Sequence, residues 1–409
     1  MCPAADPPEF ALDFRANALR GAAGYFRAGQ DSTGRWWLID PQGATFWLKG
    51  VHGIRPAAAH GDGVLPLDSA ARLRQWGFNA AGVGARDVSV GRDDGMPFMA
   101  TVDFCRAGSV IVAPGMRLPD VFDPQWTLQA GAHALEACRP WAECRELIGW
   151  VTDDALLWAQ PSLLGRPSLL QLCLSLEPSY AAYHAAWEFV LALHGGKLEA
   201  LAHAWNTRLA NKEVVRELTR AEEGLGTRGY LRDEARWTRE FARRYFTTTA
   251  AAVRAAAPHH LLLGCRFHEP VGPHVLAECV YPAVDVAMPS WSELPSLSDR
   301  PIHPVLAGDV CWVGADFLRP ITEKRMGRLT TVERMLRRAR ASLERVARHP
   351  AVVGYNWSQW QDDPSEQPPF ARGLIHPNGA EAREHTELLR PFNRRAETLR
   401  RTAISIPSL

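Results

Sequence analysis

Short apolar runs recur along the chain and alternate with stretches in which apolar residues repeat every three or four positions. Runs of about four to eight apolar residues predict buried strands, whereas the wider spacing predicts amphipathic helices. Eight such runs are present, at residues 46–51, 78–83, 98–104, 147–151, 260–267, 284–288, 303–308 and 351–357. Helical patterns separate several of them, for example at residues 69–77, 233–257 and 331–349. Strands that alternate with helices pair in parallel, so the pattern predicts an α/β fold, a (β/α)8 TIM barrel.

Two segments fall outside this alternation. Residues 30–50 contain "WWLIDPQGATFW", two apolar runs around a turn with Pro and Gly, which predicts an N-terminal β-hairpin. Residues 159–230 lie between the fourth and fifth strands, where a barrel loop usually has about 2–6 residues, and they contain several helical patterns. They predict a helical insertion that could cap a pocket. Because no linker or repeat divides the sequence, residues 1–409 are predicted to form one barrel domain.

Composition and charge exclude several function classes. Lys and Arg number 46 and Asp and Glu 45, so the net charge of +1 gives no electrostatic footprint for nucleic acid. The acidic, proline-containing N-terminus does not resemble an export signal, and no apolar run reaches about 18 residues, which predicts a cytoplasmic protein without a membrane span. The eight cysteines show no C-x-x-C pair, which predicts reduced thiols. No glycine-rich phosphate loop follows a strand, so no cofactor is predicted.

Polar and aromatic residues accumulate where the predicted strands end, which is where active sites of TIM barrels lie. Carboxylates accept hydrogen bonds from hydroxyl groups, guanidinium and amide groups donate them, and Trp stacks on apolar ring faces. This set therefore predicts a saccharide ligand. In chain order the candidate residues are His52, Arg86, Asp103, Asp153, Asp154, Arg266, His268, Glu269, Trp291, Asp309, Asn356, Trp357 and Trp360.

A series of motifs in a fixed order carries a family resemblance: "WWLIDPQGATFWLKGV", "DVFDPQW", "IGWVTDDALLW", "VDVAMPSW", "HPAVVGYNWSQWQDDP" and "RGLIHPNG". With them the chain resembles the agarase and beta-galactosidase-like glycoside hydrolases, a retaining (β/α)8 clan with catalytic glutamates at strands four and seven. The resemblance implies hydrolysis of a glycosidic bond. Both glutamate positions differ here, because Ala155 stands at the acid/base position and Asp309 at the nucleophile position. Asp154 stands where the family has an asparagine that holds the sugar.

Glycoside hydrolysis needs one carboxylic acid and one carboxylate. We predict Asp309 as the nucleophile or general base, with Asp154, Asp153 or Glu269 as the acid. Aspartates in place of glutamates would widen a retaining gap of about 5–5.5 Å toward the inverting gap of about 6.5–9.5 Å. An inverting or otherwise altered pair of Asp309 and Asp154 is therefore our hypothesis, and the anomer released first tests it.

Three other interpretations compete with hydrolysis. The chain can be a catalytically inactive saccharide-binding or regulatory protein on a glycosidase scaffold. It can also perform transferase, lyase or metal-assisted chemistry, although no metal is our main prediction; the possible ligands would be His268, Glu269, His303 and Asp309. Finally, individual residues can be structural: Asp153 as a ligand of backbone amides, Asp103 and Arg266 as a salt bridge, and Trp291 and Trp357 as core.

Overall fold

The computed structural model describes residues 13–54, 69–84, 95–113, 116–154, 156, 167–218, 226–297, 302–312, 331–362 and 372–403. Arg86 and Ala155, two positions named above, lie outside these residues. The strands of the described chain are β1 (Arg27–Gln30), β2 (Trp36–Ile39), β3 (Thr45–Phe46), β4 (Leu48–Val51), β5 (Ala80–Ala81), β6 (Phe98–Val102), β7 (Val110–Ala113), β8 (Met116–Pro119), β9 (Leu147–Asp154), β10 (Leu261–Arg266), β11 (Val305–Val310) and β12 (Val352–Trp357).

Seven parallel strands form the barrel wall in the order β10, β9, β6, β5, β4, β12 and β11. The remaining gap between β10 and β11 is bridged by residues of the sixth predicted strand, since Met288 pairs with Arg266 and Ala287 pairs with Val305. The ring is thereby closed, and the predicted TIM barrel is confirmed. The predicted hairpin is also present as β2 and β3, which pair antiparallel around a turn in which Asp40 accepts the amide of Ala44.

Helices surround the barrel: α1 (Ser69–Gln75), α2 (Pro124–Cys138), α3 (Leu169–Leu174), α4 (Ala181–Leu193), α5 (Leu198–Trp205), α6 (Arg228–Ala256), α7 (Thr331–Arg348) and α8 (Arg383–Thr402). Their ends follow the expected chemistry. Asp123 accepts the amide of Gln125 at the start of α2, with Pro124 as the first helical residue. Thr227 caps α6 in the same way through the amide of Tyr230. No helix of the described chain is long and apolar enough to cross a membrane.

The predicted helical insertion is represented by α3, α4, α5 and the short turn Glu213–Arg216. Its helices pack against α6 and are tied to the barrel by buried polar contacts. Asp120 accepts the amide of Ala182 at the first turn of α4, and Asp233 of α6 accepts the indole N–H of Trp205 at 2.9 Å. The insertion therefore widens the helical layer beside the barrel.

Most tryptophans of the described residues lie in the hydrophobic core. Ten tryptophans of the described residues are fully buried: Trp37, Trp47, Trp76, Trp126, Trp150, Trp187, Trp205, Trp237, Trp312 and Trp357. Aromatic side chains each bury a large apolar area, so such a set stabilises the contacts between barrel and helices. The seven described cysteines are unpaired, as predicted.

Candidate functional site

The ends of β9, β10 and β11 meet at one guanidinium group. Arg266, the last residue of β10, is 6% exposed and binds two carboxylates from neighbouring strands. Its Nε lies 2.6 Å from Oδ1 of Asp154, and its Nη1 lies 3.0 Å from Oδ1 of Asp309. His268 binds the other oxygen of Asp309 through Nδ1. The structure thus brings four of the predicted residues together, in what we call the carboxylate bridge: Asp154, Arg266, His268 and Asp309.

The guanidinium also limits the separation of the two carboxylates. The two nitrogens that they bind are joined through a single carbon atom, so the bound oxygens of Asp154 and Asp309 lie at most about 8 Å apart. This limit allows the retaining separation of about 5–5.5 Å and only the lower part of the inverting range of about 6.5–9.5 Å. The space between the two acids is occupied by the guanidinium group of Arg266.

Both acids of the bridge are ionised at neutral pH. Burial by itself would raise the pKa of Asp309, but the hydrogen bond from His268 and the charge of Arg266 outweigh it and hold the pKa far below its ordinary value. Burial acts in the same direction on Asp154, and the charge and hydrogen bond of Arg266 again lower its pKa. Neither carboxyl group holds a proton that it could donate near pH 7.

His52, which follows β4, connects the strand of Asp309 with the segment that follows β5 through two hydrogen bonds. Its Nδ1 accepts the amide N–H of Val83 at 3.0 Å, which leaves the proton on Nε2, where it is donated to the carbonyl of Gly308 next to Asp309. Burial, followed by the charge of Arg266, lowers the pKa of His52 to about 4, so the ring is neutral. Both ring nitrogens are occupied by backbone groups, which makes His52 a positioning residue for β11.

Asp153 lies beside Asp154 in the chain but in a different environment. Its backbone is left-handed, with φ 52°, and its side chain is 2% exposed. Oδ1 accepts the amide of Cys105 at 3.0 Å, and Oδ2 lies 2.7 Å from the hydroxyl oxygen of Tyr245. Burial is the largest influence and raises the pKa of Asp153 to about 7. Asp153 thus binds a backbone amide, as the structural alternative assumed. That amide belongs to Cys105, in the turn after β6.

Asp103 forms salt bridges, but not with Arg266, the partner considered in the sequence analysis. The pairing of Asp103 with Arg266 is wrong, because Asp103 binds Arg117 at 3.2 Å and Arg106 at 3.2 Å. Arg117 belongs to β8, which pairs antiparallel with β7 to form a hairpin on the rim of the barrel. We call it the rim hairpin. The sequence analysis missed it, although "VIVAPGMRLP" has a Pro-Gly turn between two short apolar runs, the signal of a hairpin.

A cavity of about 630 Å³ opens between the rim hairpin and the ends of β6 and β9. Its walls combine apolar side chains with three carboxyl groups and one guanidinium. No residue of the described part of the insertion lines it, so the predicted capping role is not seen there. The lining residues are Gly84, Thr101, Asp103, Cys105, Val112, Ala113, Met116, Arg117, Asp153, Asp154 and Leu156.

The residues predicted on the eighth strand are buried. Trp357 is fully buried, donates its indole N–H to the carbonyl of Arg372 and packs on Trp312. Trp360 is 3% exposed, and Asn356 points into the barrel interior, where its amide nitrogen lies 3.8 Å from the sulfur of Met99. A fully buried ring offers no face to a ligand. The predicted sugar contacts of these residues therefore gain no support from their position.

Two further predicted residues lie on the loops after the strands. Trp291 begins the 3₁₀ turn Trp291–Ser296 and is half-buried against the core. Glu269 is half-buried in the segment that follows β10. Neither belongs to the carboxylate bridge or lines the cavity described above.

The four possible metal ligands do not converge. His303 precedes β11 and binds the carbonyl of Val284, at the opposite end of this strand from Asp309. Within the described residues a different group has ligand atoms within 4.8 Å of one another: Asp103, Cys105 and Asp153. Metal ligands must be deprotonated, and in the metal-free protein burial raises the pKa of the Cys105 thiol far above its ordinary value and that of Asp153 to about 7. A cation at this group would therefore have to displace both protons.

Solved structures with similar folds are glycoside hydrolases. The protein BpGH50 has a TM-score of 0.68 and 16% identity over 95% of this chain and 85% of its own. The agarase AgWH50C has a TM-score of 0.65 and 18% identity, covering 96% and 68% of the two chains. An exo-beta-agarase has a TM-score of 0.64 and 16% identity, covering 94% and 66%. The chain thus spans about two thirds of the length of both agarases.

No protein-family model matches the sequence, and no curated protein matches it either. The similarity to solved structures is therefore one of fold. It defines the class of the chain as a TIM barrel of the kind found in glycoside hydrolases.

Proposed function

We propose that the protein binds a saccharide on a glycosidase-like scaffold and does not hydrolyse it. The observation that carries this proposal is the carboxylate bridge. Hydrolysis needs a carboxyl group that protonates the leaving oxygen. Asp154 and Asp309 are both ionised, and both are held by Arg266. Asp154 and Asp309, the predicted acid and base, are therefore two members of one ion-pair network with Arg266.

The same geometry disfavours the inverting hypothesis. An inverting pair holds a water molecule between its carboxyl groups. Here the guanidinium of Arg266 lies between Asp154 and Asp309 and binds both. A water molecule can attack from that space only after one of these ion pairs has broken, and the pair of Arg266 with Asp309, in which both side chains are buried, resists such a change.

Saccharide binding is supported by the fold and by the adjacent cavity. The similar structures include proteins named as agarases. A volume of about 630 Å³ falls in the range of small-molecule sites, which is roughly 300–1,000 Å³. Its carboxyl, hydroxyl and guanidinium groups suit a ligand with many hydroxyl groups.

Hydrolysis with a different acid is the second candidate. Asp153 lines the cavity, and its pKa of about 7 leaves a substantial protonated fraction at neutral pH, which is what a general acid requires. In this reading Asp153 would protonate the leaving oxygen and Asp309 would accept a proton from the attacking water. Its weakness is that both oxygens of Asp153 already have partners in Cys105 and Tyr245.

Parallel measurements of binding and turnover on the purified protein separate the two candidates. Binding is measured by calorimetry with oligosaccharides from agarose, porphyran and other galactans. Turnover is measured with the same oligosaccharides and with chromogenic glycosides. We expect saturable binding without product. Product formation that disappears in both Asp309→Asn and Asp153→Asn would establish the second candidate instead, and ¹H NMR of the first anomer released would then give the stereochemical outcome.

A further inference from the structure

We propose that the saccharide binds between the rim hairpin and the ends of β6 and β9, with the hairpin as the wall that determines specificity. This inference rests on the proposed function and adds a location and a ligand class to it. The sequence analysis placed sugar contacts on early and late strands alike, among them Asp103 and Asp153, which line the cavity, and Trp291, Asn356, Trp357 and Trp360, which do not. The structure buries the three residues of the last strand region and leaves the cavity on the side of β5, β6 and β9.

One wall of the cavity is apolar and comes largely from the rim hairpin. Val112 of β7 is 69% exposed, which is unusual for a valine and leaves its side chain available for contact. Met116 of β8 and Leu156 after β9 line the same space but are themselves buried. Apolar side chains of this kind suit the C–H face of a sugar ring, because that face gains by leaving water.

The cavity also presents acceptors and donors for hydroxyl groups. Asp103 and Asp154 present carboxylates, Thr101 presents a hydroxyl, and Arg117 presents a guanidinium that also binds Asp103 at 3.2 Å. The bond between Arg117 and Asp103 connects the hairpin to the end of β6. A ligand that contacts Val112 and Asp103 at the same time would therefore bind hairpin and barrel together.

The charges of the lining favour an uncharged saccharide over an anionic one. Carboxyl groups come from three positions and a guanidinium from one, and that guanidinium is engaged by Asp103. A sulfate or uronate group would meet carboxylates without a free cation among the described lining residues. Like charges at close range in a partly enclosed site are repulsive.

The test compares substitutions at two apolar surface residues of similar exposure, Val112 and Leu128. Val112→Arg places a long cationic chain in the proposed site, whereas Leu128→Arg makes the same kind of change on α2, at a residue that is 72% exposed and does not line the cavity. Calorimetry with agarose-derived tetrasaccharide serves as the probe, and circular dichroism verifies that both variants are folded. We expect Val112→Arg to weaken binding at least about tenfold and Leu128→Arg to leave it unchanged.

The charge of the site is tested with a second pair of measurements. Sulfated porphyran oligosaccharide should bind the wild-type protein more weakly than the uncharged probe, and Asp103→Asn should reduce this difference. Equal binding by wild type and Val112→Arg would overturn the location while leaving the proposed function intact. Absence of saccharide binding by the wild-type protein would overturn both.

Discussion

Asp153 and Asp154 are adjacent in the chain and both line the cavity, yet their carboxyl groups lie in two different environments. Asp154 joins the carboxylate bridge over β9, β10 and β11, where Arg266 lowers its pKa. Asp153 faces Tyr245 and Cys105 on the side of β6, where burial raises its pKa to about 7. The left-handed backbone at Asp153 marks the point at which the strand departs from regular geometry between the two.

This contrast shows that the environment, and not the residue type, sets the chemistry of these acids. A carboxyl group with a cation at hydrogen-bonding distance keeps its charge, whereas a buried carboxyl group with neutral donors and a second carboxylate, Asp103, beside it tends to keep its proton. The carboxylate bridge is ionised, and Asp153 is the more deeply buried of the two neighbouring acids. We therefore expect perturbations of the bridge and of Asp153 to differ in size and in pH dependence.

The largest effect is expected from Arg266→Ala. Removing the guanidinium would leave Asp309 buried beside only His268 and would deprive Asp154 of its cation. Breaking a buried ion pair from one side costs about 3–5 kcal/mol of unfolding free energy. Urea denaturation followed by tryptophan fluorescence measures this loss.

Arg243→Ala is the matched control for that change. Arg243 pairs with Glu240 on α6 at 2.7 Å, but its side chain is 53% exposed, so its loss should cost less than about 1 kcal/mol. Arg266→Lys keeps the charge without the planar fork and should fall between the two values. An Arg266→Ala protein as stable as Arg243→Ala would mean that the carboxylate bridge contributes nothing to stability.

A difference in pH dependence is the second expectation. The pKa of Asp153 is raised, so its contribution to stability is complete below the unfolded pKa of about 3.9 and is lost as the pH rises through about 7. Between pH 5 and pH 8 this loss amounts to about 3 kcal/mol, because each pH unit is worth about 1.4 kcal/mol. Asp153→Asn should remove this contribution, and asparagine tolerates the left-handed backbone.

Asp309→Asn provides the opposite case. The pKa of Asp309 is lowered, so its contribution is present above the unfolded pKa and is lost only as the pH falls below about 4. His52 and His303, whose pKa burial lowers to about 4, add a slope of opposite sign to every curve, so each variant is compared with wild type at the same pH. In urea titrations at pH 5, 6, 7 and 8 the difference in unfolding free energy between wild type and Asp153→Asn should change by about 3 kcal/mol, whereas the difference between wild type and Asp309→Asn should stay constant. A constant difference for Asp153→Asn as well would place the proton elsewhere than on Asp153.

The fold was accessible from the sequence because it depends on periodicity. Eight apolar runs separated by helical patterns predict the barrel, and all eight became wall segments, even the sixth, which is held by only two isolated bridges at Ala287 and Met288. The hairpin at Asp40 was recognised from its turn residues. The rim hairpin was missed because β7 and β8 have only four residues each, within the loop that follows β6.

The site was accessible only in part. Position at a strand end selected Asp154, Arg266 and Asp309 as candidates, and the structure brings them together because parallel strands end at one edge of the barrel. Position along the chain does not determine which charged groups form salt bridges with one another. Asp103 binds Arg117 of the rim hairpin, which the sequence analysis had missed, instead of Arg266. Burial was also out of reach, because Trp357 and Trp360 follow a strand end as a sugar platform would, yet other side chains cover them.

The smallest effect is expected from Arg117→Met, which removes the contact between the rim hairpin and Asp103 while keeping a side chain of similar length. Arg117 is 51% exposed, so the loss of unfolding free energy should stay below about 1 kcal/mol. Locally the change should be larger, because β7 and β8 pair with each other but with no barrel strand. Hydrogen exchange should therefore accelerate at the amides of Val110–Ala113 and of Met116, Arg117 and Leu118, and stay unchanged in β9 and β10. Unchanged exchange in the hairpin would mean that its core contacts, at Ile111 and Leu118, hold it in place without Arg117.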